Sequence, residues 1–171
     1  MFRAWPLPTG LLFLVFISVS ACGAASTPGP DPPLARIVEV IDGDTIVIRS
    51  GQVTEPVRLI GIDTPEVAHH GQPDECFGPE AASRTEELLP VGSTVRLARD
   101  VEARDVYDRL LAYVFTTEGT MVNMTLAAEG LATELAISPN LSAADEVAEA
   151  VGQARTARVG LWASCPLESG G

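Results

Sequence analysis

Asp44, Asp63, Glu66 and Arg58 gather at the ends of two apolar segments, VIDGDTIVI (residues 40–48) and RLIGIDTPE (residues 58–66). Carboxylate oxygens at Asp44 and Asp63 suit a hard divalent cation such as calcium or magnesium. A glutamate held near such a cation can orient or deprotonate a water molecule, and Glu66 is the candidate. Arg58 and Arg109 supply guanidinium groups, which stabilise charge on non-bridging phosphate oxygens in a two-pronged fashion. The chemistry these types can perform together is metal-assisted cleavage of a phosphodiester. Asp42 has a simpler reading, because Asp-Gly is a hairpin dipeptide for conformational reasons.

These side chains need strands to hold them. ARIVEVIDGDTIVIRS predicts two strands joined at Asp42-Gly43, and TEPVRLIGID predicts a third. TVRLARD and RLLAYVFT (from Arg109) read as a fourth and a fifth, separated by a loop containing arginine and aspartate. Along the third strand, strict alternation puts Arg58 and Asp63 on opposite faces. If both face one site the strand must bend, and Gly61 is the natural place. Helices are expected over EAASRTEELL, over MVNMTLAAEG and from a capping-box pattern at Ser142 to about Arg158. Met121 and Met124 read as core, Trp162 as packed on the barrel end, and His69-His70 as a solvated pair. Five strands with short turns suggest a small barrel or sandwich, and with the helices an α+β domain.

Residues 1–21 carry Arg3, then an apolar run, and end in small residues before Cys22, the layout of a secretory signal peptide. The VSAC ending resembles a bacterial lipobox, which predicts lipid on Cys22 and attachment to a membrane. Residues 22–33 are rich in proline and glycine and read as a tether. A folded domain is expected over 34–166, with a short tail over 167–171. Export to an oxidising, cell-surface location favours a disulfide between the two remaining cysteines, Cys76 and Cys165. The chain holds no lysine and carries a net charge of −12. Such acidity excludes general electrostatic coating of nucleic acid, so any such contact must be local.

VIDGDT, RLIGIDTPE, FGPEA, DVYDRLLAYVF, MVNMTLAAEGLA and the closing GLW, in this order, resemble the staphylococcal nuclease (thermonuclease) family from about Arg36 to Ala163. The resemblance implies an α+β fold, a five-stranded OB-fold β-barrel with three α-helices. It also implies a calcium-dependent nuclease acting on DNA and RNA with little sequence preference. By position, Asp44 and Asp63 would hold calcium through carboxylates and Thr64 through its backbone carbonyl. Glu66 would be the general base or water-orienting group, Arg58 and Arg109 would bind the scissile phosphate, and Tyr107 would contact a terminal phosphate. Departures from the pattern are Val106 in place of lysine, Asp108 in place of glycine and the lack of an aromatic residue in ATELAISPN. Nucleic acid is the expected substrate, and no protein partner is expected. The competing expectation is a non-catalytic OB-fold binding module with a structural calcium site.

Overall fold

The computed structural model describes residues 33–68 and 71–166. Cys22, the signal and tether segments up to residue 32, His69-His70 and the tail over 167–171 lie outside the described residues. The first strands bury alternate residues. β1 (Leu34–Val40) turns Ala35 and Ile37 inward, β2 (Thr45–Ser50) turns Ile46 and Ile48, and β3 (Val53–Leu59) turns Val57 and Leu59. Next come the short β4 (Gly61–Asp63), β5 (Thr94–Ala98) and β6 (Leu110–Thr116), the last two burying Val95, Leu97, Leu110, Ala112 and Val114. The strands close into a barrel of order β1-β2-β3-β6-β5. Each large aliphatic side chain so buried contributes roughly 1.5–3 kcal/mol.

The segment expected as one third strand is two. At Ile60 the chain leaves the barrel, and Gly61 takes a φ of 86° that a residue with a Cβ rarely adopts. β4 then pairs with β7 (Thr133–Leu135), a three-residue strand with no clear sequence signal. The break exposes carbonyl groups that the ladder no longer satisfies, and two side chains take them up. Arg58 donates to the carbonyls of Leu59 (3.0 Å) and Ile62 (2.7 Å). The buried Asn123 donates to the Ile60 carbonyl at 2.8 Å and accepts the Val114 amide at 2.9 Å.

Three helices cover the barrel: α1 (Gly78–Leu88), α2 (Val122–Ala128) and α3 (Ala144–Ala157), followed by the single turn α4 (Leu161–Ser164). From α1, the buried Thr85 hydroxyl donates to the Gly43 carbonyl at 2.7 Å and fixes the β1–β2 turn. The capping box expected at Ser142 is not formed, since Ala143 is the cap residue and gives no side-chain bond. Ser142 instead donates its hydroxyl and its amide to the Asp100 carboxylate, at 2.7 and 2.9 Å. A bond to an ionised acceptor outcompetes a neutral cap. Met124 packs against the core, whereas Met121 is the half-buried cap of α2. Trp162 also packs against the core, with the Arg155 guanidinium 4.3 Å from its ring centroid. Cys76 and Cys165 form a disulfide, their Cα atoms 5.8 Å apart, which fastens the start of α1 to the end of α4. Among the described residues no helix is long and apolar enough to cross a membrane.

Candidate functional site

The β1–β2 turn is built around Asp42. One of its carboxylate oxygens accepts the amides of Asp44 (3.0 Å) and Thr45 (2.7 Å), a structural turn role as expected. The turn drives Asp44 into the protein, where it is 3% exposed. Gly43 is required there, because a Cβ would collide with the Thr64 side chain. Asp44 Oδ2 in turn accepts the amide of Thr64 at 2.7 Å and its hydroxyl at 3.1 Å. Two distant turns are thereby locked face to face.

Arg58 joins them. Its register partner on β2 is Thr45, and it faces outward between the buried Val57 and Leu59. Nη1 lies 3.1 Å from Asp44 Oδ2, and Nη2 lies 2.7 Å from Asp63 Oδ1. The bend at Gly61 is what brings Asp63 round to meet Arg58, resolving the conflict that simple alternation predicts. A guanidinium between two carboxylates shows that this pocket is built around positive charge. Burial, opposed by the Arg58 charge, pushes the Asp44 carboxyl up from 3.8 to about 7.

That shift has a signed consequence. With the folded value above the unfolded one, Asp44 contributes stability that is complete below about pH 4 and lost as pH rises through about 7. With chelator present, the unfolding free energy of the wild type relative to Asp44→Asn should therefore fall by a few kcal/mol between pH 4 and pH 7, then level off. Urea titrations across that range measure it, and a flat difference contradicts it.

Arg109 approaches from the loop that leads directly into β6. β3 and β6 pair in parallel, with Val57 opposite Leu110 and Arg58 opposite Leu111, so Arg109 enters the strand beside Arg58. Arg58, Leu111, Arg109 and Tyr107 all line one cleft of about 540 Å³. Arg104 lines it too. Three of the ten arginines beyond residue 21 thus converge on one hollow in a strongly acidic chain. The floor is aliphatic, with Ile60, Ile62, Leu135 and Ile137, and Tyr107 stands 78% exposed at the rim. Glu66 sits two residues beyond Thr64 with its side chain on the surface. Its backbone is held at both ends by Glu75: its amide donates to Glu75 Oε2 at 3.1 Å, and its carbonyl accepts the Glu75 amide at 2.9 Å.

The structure therefore joins Asp44, Asp63, Thr64 and Arg58 directly, and joins Arg58 to Arg109 and Tyr107 as walls of one cleft. Sequence reasoning missed Asp105, whose carboxylate is 2.7 Å from Arg109 Nε, and Arg104, which lies 2.6 Å from Glu55. The alternation Asp105, Tyr107, Arg109 in a turn was the available signal for Asp105, since an aspartate there bonds backbone amides two residues on. Asp108, which stands in place of glycine, adopts a φ of 64° and places its carboxylate 3.6 Å from Arg104.

A closed five-stranded barrel with helices against it and a charged cleft on its outer face is an OB-fold of the α+β class. The chain belongs to the family described as staphylococcal nuclease homologues, whose family model matches residues 56–164. It is 35% identical over 129 residues to the thermonuclease of Staphylococcus hyicus, covering 75% of each chain. It is 38% identical over 126 residues to the thermonuclease of Staphylococcus intermedius, covering 74% of each. It is also similar to the endonuclease YhcR of Bacillus subtilis (strain 168), at 31% identity over 147 residues, which is 78% of this chain and 12% of that one.

Proposed function

We propose that this protein is an exported, calcium-dependent nuclease that hydrolyses phosphodiester bonds of DNA, RNA or both with low sequence specificity. The observation that carries the reading is the position of Arg58. It touches both metal-type carboxylates while lining, with Arg109, a cleft large enough for a nucleotide. The catalytic set is Arg58, Glu66 and Arg109, with Tyr107 as a substrate contact.

The donors fit a hard cation. Asp44 and Asp63 offer carboxylates, Thr64 a backbone carbonyl, and the burial of Asp44, which Arg58 offsets only in part, favours a further positive charge beside it. Among the described residues no group of three or more acidic, histidine or cysteine side chains is placed to hold a metal ion, so these side chains would supply only two of its ligands. An ion there would keep waters and take substrate oxygens as further ligands. When bound, calcium would polarise the phosphate and lower the pKa of a bound water. The chain's own residues do the rest. Arg58, held in place by two carbonyls and two carboxylates, sets a fixed positive charge at the edge of the cleft for the phosphate. Arg109 meets the same phosphate from the loop before β6 and stabilises charge as the attacking oxygen adds. Glu66 orients the water or accepts its proton. The aliphatic floor accepts any base by apolar contact, which agrees with low sequence specificity.

The lipid anchor on Cys22, the signal peptide and an extracellular location belong to the same proposal. The Cys76–Cys165 pairing supports it, because such bonds persist in oxidising compartments. The deciding assay is digestion of denatured DNA and of RNA at millimolar calcium and again with chelator. Hydrolysis that disappears with chelator is expected. Saturable binding of nucleic acid with no product at any calcium concentration would establish the non-catalytic module instead.

A further inference from the structure

Arg109 sits in a loop whose geometry is set by a residue that the catalytic scheme does not use. The strand-like pairing of Arg104 with Leu110 closes a tight turn over residues 105–108. Backbone bonds from Asp105 to Arg109 (3.1 Å), Asp108 to Asp105 (3.1 Å) and Leu111 to Ala103 (2.9 Å) define it. Inside the turn, the Asp105 carboxylate accepts three further bonds. Oδ1 takes the amides of Tyr107 (3.0 Å) and Arg109 (2.9 Å), and Oδ2 takes the Arg109 side-chain Nε at 2.7 Å. Both residues so held, Tyr107 and Arg109, line the cleft. The Arg109 guanidinium also stands 5.4 Å from the Tyr107 ring centroid.

We propose that Asp105 is a positioning residue for Arg109, orienting its guanidinium for the phosphate before substrate arrives. The inference rests on the nuclease reading above. The choice of nitrogen is the reason. With Nε engaged, the two Nη groups remain as a parallel pair of donors, the edge that matches two phosphate oxygens. Among the described residues neither Nη group of Arg109 makes a hydrogen bond. A long side chain fixed beforehand loses less freedom when the transition state forms. The loop does not depend on Asp105 alone. Arg104 donates to the Asp108 carbonyl at 2.8 Å and to Glu55 of β3 at 2.6 Å, fastening the loop to the barrel wall. Removing the Asp105 charge therefore frees the guanidinium while the loop stays in place.

The test is a double-mutant cycle read in kcat and KM for denatured DNA with calcium, using Asp105→Asn, Arg109→Ala and the double variant. Asp105→Asn should lower kcat about 10- to 100-fold while KM moves less than about threefold, because the contact matters as charge develops. The double variant should be no slower than Arg109→Ala alone, since a group acting through Arg109 has nothing left to position. Asp105→Ser repeats the cycle if thermal melts show the asparagine variant to be poorly folded. Wild-type kcat in Asp105→Asn overturns the proposal. So does a double variant slower than Arg109→Ala by the full single-variant factor, which assigns Asp105 to loop stability alone. A wild-type protein without nuclease activity overturns the nuclease reading, and this inference with it.

Discussion

Glu66→Gln is expected to lower kcat on denatured DNA by a factor of about 10² to 10⁴, the range that a positioned acid or base supplies. Glutamine keeps the size and a hydrogen-bonding carbonyl but cannot take a proton. The segment carrying it should stay in place, because Glu75 holds the backbone of residue 66 at both its amide and its carbonyl. Gly78 backs directly onto the same carbonyl, leaving no room for a Cβ. Melting temperature and calcium affinity should therefore remain close to wild type while turnover collapses. Single-turnover kinetics on a labelled oligonucleotide separate the chemical step from product release. Turnover within a few-fold of wild type would remove Glu66 from the chemistry.

Arg58→Lys should lower kcat/KM by about 10² to 10³, the loss seen when one fixed donor to a developing charge is removed. An ammonium is a point charge without a planar fork, and Arg58 uses the fork fully. It contacts two carboxylates and two carbonyls at distances between 2.7 and 3.1 Å. Arg58→Ala adds a stability loss of about 3–5 kcal/mol, the cost of stripping a buried charge of its partner. Asp44 would be left without its positive neighbour, and the carbonyls of the strand break would lose their donor. Chemical denaturation with and without calcium distinguishes the two contributions. Calcium should recover part of the stability of Arg58→Ala, since both cations answer the same carboxylates. Arg58→Lys with wild-type kcat/KM would show that the guanidinium serves the fold only.

The barrel was legible because its strands bury alternate aliphatic residues and its turns carry Asp-Gly and Ser-Gly signals. Asp44, Asp63 and Arg58 were legible for another reason: charged residues inside apolar strands are costly unless something holds them. The bend at Gly61 could be deduced from the conflict between alternation and a shared site. β7 could not, because three residues, Thr133 to Leu135, pair only through β4, which itself exists only after the chain leaves the barrel. The Ser142 cap failed because Asp100 arrives from 42 residues away, and local patterns contain no such competitor. Asp105 was overlooked for a related reason. An acid next to arginines in a polar loop reads as solvated until the turn shows three donors aimed at it.

The bond between Cys76 and Cys165 divides the site by chain connectivity. Asp44, Arg58, Asp63 and Glu66 precede the ring it closes, whereas Tyr107 and Arg109 lie inside it. One protease cut anywhere within the ring leaves both fragments covalently joined, and the two halves of the cleft cannot diffuse apart. A nicked molecule keeps its mass on a non-reducing gel and separates only after a thiol is added. For a protein exported as proposed, that topology would give tolerance to proteolytic damage that would inactivate an uncrosslinked chain.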